Sequence, residues 1–262
     1  MNRDITPVPI LTYHGLVKGP PSRTDGLYTL GEKSFQAQMT HLAECGFHAV
    51  SLKELLAWQS GQPLPGRSVV ITFDDGSESD FSIALPILKQ FYFPATFFVN
   101  PGTLNRKGYL TPEHLGQIHR EGMEIGSHGF DHLFLTGLDE KALCHQVAES
   151  KKSLEALLGE AVSFFSVPRG RYTRHVLEVA KQAGYLAVCT SDIGLNRRLS
   201  EPFRLRRWAM KRSYTLDDFA SIVAGHPKTH LRLEVRFKQA AHRLLGHTLY
   251  ETVRNRVLGE AT

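Results

Sequence analysis

The 262-residue sequence has few of the residues that build disulfide frameworks or membrane spans. Its cysteines are only three, an odd number without any Cys-x-x-Cys pair, which predicts free thiols that behave as small apolar residues: Cys45, Cys144 and Cys189. No uninterrupted apolar run approaches the roughly 20 residues that span a bilayer. Residues 1–7 also lack the apolar core of a secretory signal. These absences favour a cytoplasmic chain in a reducing compartment.

The composition is that of an ordinary globular protein, with 42% hydrophobic and 22% charged residues. A chain of this length suits one α/β barrel, so we expect a single domain over residues 1–262. The formal charge of +5 is unevenly distributed, since residues 197–262 carry 14 Lys and Arg against 6 Asp and Glu. The basic character therefore belongs to the last quarter of the chain.

Short apolar runs alternate with amphipathic helical stretches along the chain. Strands are predicted near residues 8–13, 47–51, 68–74, 95–100, 123–127, 163–167, 185–191 and 204–210. Helix starts are marked by Ser51 with Glu54, by Thr111 before Pro112, and by Thr215. Such alternation calls for a parallel sheet covered by helices, and seven or eight units predict closure into a barrel.

Two of the predicted strands end in side chains that can carry chemistry. The run 69–73 is followed by Asp74 and Asp75, and the run 123–127 delivers His128 and then His132. Taken alone, an Asp-Asp-Gly turn or a pair of histidines four residues apart is weak evidence for a site. Together, at the carboxyl ends of strands in an alternating β/α chain, they offer metal ligands with a second carboxylate beside them. That inventory predicts a metal-dependent hydrolase.

Several segments resemble the polysaccharide deacetylase family, carbohydrate esterase family 4. They are PILTYHG at 9–15, TFDDG at 72–76, SHGFDH at 127–132 and FSVPRGRY at 165–172. The resemblance covers the chain from its first strand to Asp192. It implies a distorted barrel of about seven parallel strands and an N-deacetylase that acts on acetylated amino sugars.

The resemblance also implies roles for individual residues. Asp74 takes the place of the general base, while Asp75, His128 and His132 take the places of the ligands of one divalent metal. Two histidines and one carboxylate suit zinc, which we expect first, and also cobalt, nickel or iron. Such a metal can polarise the acetamide and acidify a bound water, which Asp74 would deprotonate.

The sequence departs from the family in the motif that usually orients the base. Ser166 stands where the commoner motif has an arginine. Arg169 or Arg171 could supply the missing guanidinium, and the alternative is that both are solvated loop arginines. The backbone N–H of Arg169 or Gly170 is a candidate donor to the oxyanion, as the resemblance implies.

The usual late histidine of the family is also missing. His14 follows the first strand, and the first and last strands become neighbours when a barrel closes, so we predict that His14 protonates the leaving amine. A structural histidine is the alternative. Asp192 matches an aspartate that the family carries after a late strand, where it would support the base or its arginine.

Residues 226–262 form a predicted basic C-terminal helical extension. Apolar residues at helical spacing over 233–258 are opposed by arginines, which is typical of a helix docked on the barrel with a solvated basic face. The alternative is that this region and the cluster Arg204, Arg206 and Arg207 together contact anionic lipid at the membrane surface, which would suit a lipid-linked substrate. No nucleic-acid-binding motif accompanies the charge, so no nucleic-acid partner is expected.

The leading hypothesis is a hydrolase that removes N-acetyl groups from amino-sugar units of a glycan. Hydrolysis of another non-peptide C–N bond, in a small amide or ureide, is a second reading within enzymes. The two altered motifs leave a third, a catalytically silent barrel that only binds glycan. The presence of Asp74 beside all three ligands favours catalysis, because binding alone does not require a base.

Overall fold

A computed structural model describes residues 7–22 and 24–237. The helix expected over residues 233–258 begins within this part, since residues 229–237 are helical, but most of it and of the extension 226–262 lies outside the described residues. None of the described helices combines the length and apolar character needed to cross a bilayer.

Seven parallel strands follow one another in a single curled sheet, in the order β10-β1-β5-β6-β7-β8-β9, and β4 pairs in addition with the first residues of β5. The strands of this sheet are β1 (Ile10–Tyr13), β4 (His48–Ala49), β5 (Ser68–Phe73), β6 (Thr96–Val99), β7 (Glu124–Ser127), β8 (Phe164–Ser166), β9 (Ala187–Cys189) and β10 (Trp208–Ala209). Two further short strands, β2 (Leu16–Val17) and β3 (Leu30–Gly31), pair with each other. The predicted α/β class with about seven parallel strands is confirmed.

Helices connect the strands and cover the outside of the sheet. They are α1 (Glu32–Glu44), α2 (Leu52–Gln59), α3 (Leu85–Gln90), α4 (Pro112–Arg120), α5 (Glu140–Cys144), α6 (Ser150–Leu158), α7 (Arg174–Gln182) and α8 (Leu216–Val223). Ser51, Thr111 and Thr215 each cap a helix by accepting a hydrogen bond from the third helical N–H, as their spacing predicts. The central strand β5 is buried along its whole length, as expected where both faces of a parallel sheet are covered.

The sheet curls far enough to bring its two ends together. Strand β1 pairs with β10, placing Leu11 beside Trp208. Leu205, just before β10, forms a parallel bridge with Cys189 at the end of β9. The segment 205–209, which contains β10, therefore lies between β1 and β9. Side chains at the carboxyl ends of β1, β5, β7 and β8 consequently meet at one edge, which is where the predicted site residues lie.

Candidate active site

Asp75, His128 and His132 meet at the carboxyl edge of the sheet. Their ligand atoms all lie within 4.8 Å of one another. The Asp75 Oδ1 is 3.3 Å from His128 Nε2 and 3.2 Å from His132 Nε2, and it is buried without a hydrogen-bond partner among the described residues. Two imidazole nitrogens converging on such a carboxylate oxygen form a donor set that could hold a divalent cation.

The ring of His128 is held in a fixed orientation. Its Nδ1 lies 2.9 Å from the carbonyl oxygen of Ser166, an acceptor, so Nδ1 carries a proton and Nε2 is the ring nitrogen that faces Asp75. Burial lowers the pKa of His128, but the charges of Asp74 and Asp75 and the contact with Asp75 outweigh that effect and raise it above its ordinary value. This ring orientation leaves Nε2 as the nitrogen that could bind a metal in place of its proton.

The backbone at two of the three candidate ligands is strained. Asp75 has φ 80° and His132 has φ 58°, a left-handed conformation that residues with a Cβ rarely adopt. The loop between the histidines is tied down by Asn100 at the end of β6, whose amide donates to the carbonyls of His128 and Gly129. Backbone strain of this kind persists only where surrounding contacts enforce it, which is common at functional sites.

Gln146 holds the same loop from the other side. It lies in a π-helical turn, His145–Glu149, between α5 and α6. Its side-chain oxygen accepts hydrogen bonds from the N–H groups of Phe130 and Asp131, and its amide donates to the Asp131 carboxylate. Asp131 therefore contacts Gln146. A helical repeat of 3.6 residues does not reveal a π-turn, so sequence reasoning missed Gln146.

The neighbouring aspartate, Asp74, is buried and pairs with an arginine that directly precedes β10, two strands away from β5 in the sheet. Arg207 donates from Nη1 and Nη2 to the two Asp74 carboxylate oxygens, each at 2.8 Å. Ser166 Oγ donates to Asp74 Oδ2 at 3.2 Å and accepts from Arg207 Nη2 at 2.8 Å. Burial raises the pKa of Asp74, but Arg207 and the two histidines His128 and His14 outweigh it and hold the pKa below its ordinary value. Asp74 is therefore ionised at neutral pH.

His14 lies beside these groups. Tyr13 pairs with Phe73 across β1 and β5, so His14 and Asp74 follow neighbouring strands at the same level. The His14 ring stacks on Tyr28 at 5.1 Å, and its Nδ1 is buried without a hydrogen-bond partner in the described part of the chain. Burial lowers the pKa of His14, against the opposing charges of Asp75 and Asp74.

Comparison with known proteins assigns this arrangement to a family. Residues 61–188 match the family model for polysaccharide deacetylases. The chain is also 32% identical over 202 residues to YxkH of Bacillus subtilis (strain 168), whose name places it among the polysaccharide deacetylases; the match covers 76% of this chain and 70% of that protein. This chain belongs to the polysaccharide deacetylase family. It is a hydrolase of the class that cleaves N-acetyl amide bonds.

Two further relatives show how far the similarity extends. The poly-beta-1,6-N-acetyl-D-glucosamine N-deacetylase of Staphylococcus aureus (strain N315) is 26% identical over 171 residues, which are 60% of this chain and 59% of that protein. The Streptococcus pyogenes deacetylase PplD, solved in complex with acetate, superposes with a TM-score of 0.78 at 23% identity over 85% of this chain and 100% of that one. The second comparison supports the deacetylase fold.

The guanidinium that binds Asp74 belongs to Arg207. Of the two alternatives for Arg169 and Arg171, the one in which either of them holds Asp74 is therefore replaced by Arg207. The guanidinium carbons of Arg169 and Arg171 each lie 4.7 Å from the centre of the Phe134 ring. Arg207 is only 3% exposed, so it is also not part of a lipid-facing basic surface. The sequence indicated its burial in one way: in a strand, alternate side chains point to the same face, which places Arg207 on the side of Leu205 and Ala209.

The remaining predicted residues lie nearby in other roles. The N–H of Gly170 donates to the Val167 carbonyl at 3.1 Å, so it is engaged within its own turn. The Asp192 carboxylate accepts from Tyr172 at 2.6 Å and Arg204 at 3.4 Å, not from Arg207. Only the Asp192 backbone carbonyl contacts Arg207, accepting its N–H at 2.9 Å. Neither described hydrogen bond of the Asp192 carboxylate reaches Asp74 or the Arg207 guanidinium.

Proposed function

We propose that this deacetylase removes N-acetyl groups from amino-sugar units of a glycan, with a divalent cation on Asp75, His128 and His132. The observation that carries the proposal is an ionised, buried carboxylate, Asp74, held by Arg207 beside Asp75, whose Oδ1 faces the Nε2 atoms of both histidines. A pairing of one base with one cation site is what amide hydrolysis requires.

The reaction adds water across the amide bond, forming a C–O bond and breaking the C–N bond to give a free amine and acetate. The cation, zinc first among zinc, cobalt, nickel and iron, would polarise the acetamide carbonyl and lower the pKa of water. Asp74 accepts a proton from the attacking water, and Arg207 keeps it deprotonated beforehand.

His14 then delivers a proton to the departing nitrogen. Its position supports this role, because His14 and Asp74 follow neighbouring strands whose last residues, Tyr13 and Phe73, are paired. Burial lowers the pKa of His14, so His14 must first take up a proton, and the imidazolium that then forms is a stronger acid than an exposed one. Tyr28, stacked on the ring, fixes its plane.

Hydrolysis of a panel of amides tests the proposal, with released acetate and newly formed amine groups both measured. Acetylated amino-sugar oligosaccharides, small cyclic amides and ureides are incubated with protein reconstituted with one metal at a time. We expect acetate from the oligosaccharides alone, abolished by a chelator and restored by added metal. Cleavage confined to a cyclic amide or ureide would favour the alternative C–N hydrolase, and no turnover of any compound would favour a glycan-binding protein.

A further inference from the structure

A strained loop beside the candidate metal site presents a guanidinium that the proposed reaction does not use. In the turn Pro168–Gly170, Arg169 has φ 55° and Gly170 has φ 69°. A Cβ added at Gly170 would lie 2.1 Å from Ser191 Oγ, so the turn has no room for another residue there. The conformation that directs Arg169 is therefore fixed by its surroundings.

The loop lies against the histidine-bearing loop. A Cβ added at Gly129, between His128 and His132, would lie 3.0 Å from the Pro168 ring. Phe134 follows His132 by two residues, and its ring lies under both Arg169 and Arg171. The guanidinium carbons of both arginines lie 4.7 Å from the centre of this ring, so the two positive charges share one part of the rim next to the proposed cation site.

Arg169 is exposed and makes no ion pair with any carboxylate in the described part of the chain. The acidic side chains closest along the chain are engaged elsewhere: Glu160 with His119, Glu178 with Arg174 and Glu155 with Lys151. An aromatic ring stabilises a guanidinium without neutralising its charge. The result is a positioned positive charge that can still bind an anion.

The charge of the reaction product bears on which glycan this positive rim can bind. Each deacetylation converts a neutral acetamide into an amine that is protonated at neutral pH. Repeated deacetylation of a homopolymer of acetamido sugars would build up positive charge, which a positive rim repels. A positive rim instead suits a glycan in which anionic groups accompany the acetamido sugar.

We propose that Arg169, held over Phe134, binds a carboxylate or phosphate group on the unit next to the acetamido sugar being deacetylated. This inference rests on the proposed function for the position of that sugar. The planar guanidinium can engage either group through two parallel N–H donors, which a neutral sugar hydroxyl cannot match. Arg169 is thereby a specificity-determining residue for anionic glycans.

Binding of matched ligand pairs tests the proposal, with acetate release followed in parallel. The carboxylate pair is a hyaluronan tetrasaccharide and its methyl ester, and the phosphate pair is N-acetylglucosamine 1-phosphate and N-acetylglucosamine. We expect the wild-type protein to bind the anionic member of at least one pair about tenfold more tightly. The pair that shows the preference identifies the source of the anion.

Three variants test whether the preference for the anionic ligand depends on Arg169. Arg169→Gln should reduce it to within about twofold, and Arg169→Lys should keep part of it, because lysine retains the charge without the bidentate fork. Both replacements keep a side chain at the left-handed position, so the backbone strain is matched. Arg174→Gln is the control, since its side chain is 92% exposed and paired with Glu178; it should bind as wild type does.

Equal affinity of the wild-type protein for both members of both pairs would overturn the proposal, as would an undiminished preference in Arg169→Gln. The two proposals fail separately. Acetate release without any charge preference removes the anionic subsite but keeps the deacetylase. An Arg169-dependent preference without acetate release from any ligand keeps the anion site but removes the proposed reaction.

Discussion

Arg207 binds both carboxylate oxygens of Asp74 at 2.8 Å, and each of the two residues is only 3% exposed. The contact joins residues 133 positions apart, and it exists because β10 pairs with β1, which in turn pairs with β5. A buried bidentate ion pair fixes the direction of the carboxylate and keeps it deprotonated. Both are properties that a general base needs.

Replacement of Arg207 should therefore damage stability and activity together. Arg207→Gln leaves Asp74 as a buried, unpaired carboxyl, so we expect a loss of about 3–5 kcal/mol in the free energy of unfolding. Arg207→Lys keeps a charge but loses the two parallel hydrogen bonds, so the protein should fold while deacetylating far more slowly. Urea unfolding and initial rates of acetate release measure the two effects.

Arg206→Gln is the matched control, because this neighbouring arginine is exposed and should tolerate the change. Wild-type rates in Arg207→Lys would mean that the bidentate geometry is not needed to orient Asp74.

The sequence alone predicted the parts of the site that follow strands directly. Asp75 and His128 end apolar runs in a β/α chain, and parallel strands bring such ends to one edge. Arg207 lies in a run of basic residues that resembles a solvated surface; alternation along a strand could have indicated its inward side, but its pairing with Asp74 depends on the closure of the sheet. Gln146 depends on a π-helical turn that leaves no periodic trace.

The two adjacent aspartates should respond differently to the same change. Asp74→Asn keeps the shape but removes the base, so it should retain metal while losing activity by about 10²- to 10⁴-fold. Asp75→Asn removes the carboxylate that faces both imidazoles, so it should lose metal as well as activity. Metal content by elemental analysis and acetate release distinguish them, and the reverse pattern of metal retention would exchange their assigned roles.

The histidine pair should determine the metal content. Replacing His128 or His132 by Ala removes one of the three converging ligand atoms, so the protein should no longer bind one equivalent of zinc after dialysis. His175→Ala is the control, since that histidine is exposed and pairs with Glu140. A His128→Ala/His132→Ala double variant that still carries a full equivalent of metal would exclude this site.

Asp80 should make the stability of the protein depend on pH. It is fully buried, and neither of its carboxylate oxygens has a hydrogen-bond partner among the described residues. Burial, reinforced by the charges of Asp75 and Asp74, raises its pKa well above the ordinary value. The folded state therefore keeps a proton that the unfolded chain releases above about pH 4, and the free energy of unfolding falls as pH rises beyond that value.

Asp80→Asn removes this titration while keeping a side chain of the same size. The variant should gain in melting temperature relative to wild type between pH 5 and 8, with the difference vanishing toward about pH 4. Thermal unfolding of both proteins at equal metal content measures it. Parallel curves across the whole pH range would mean that Asp80 has the same pKa in the folded and unfolded states.

The loss of rate on replacing His14 should be larger for substrates whose amine is a poorer leaving group. An acid that acts only on the leaving group contributes little when that group departs without a proton, so His14→Ala should slow hydrolysis of an alkyl acetamide far more than that of an activated anilide. Its metal content should equal that of wild type, because His14 is not one of the three residues whose ligand atoms converge. Equal losses on the two substrates, or no loss on either, would make His14 a structural residue, and a fall in metal content would make it part of the cation site instead.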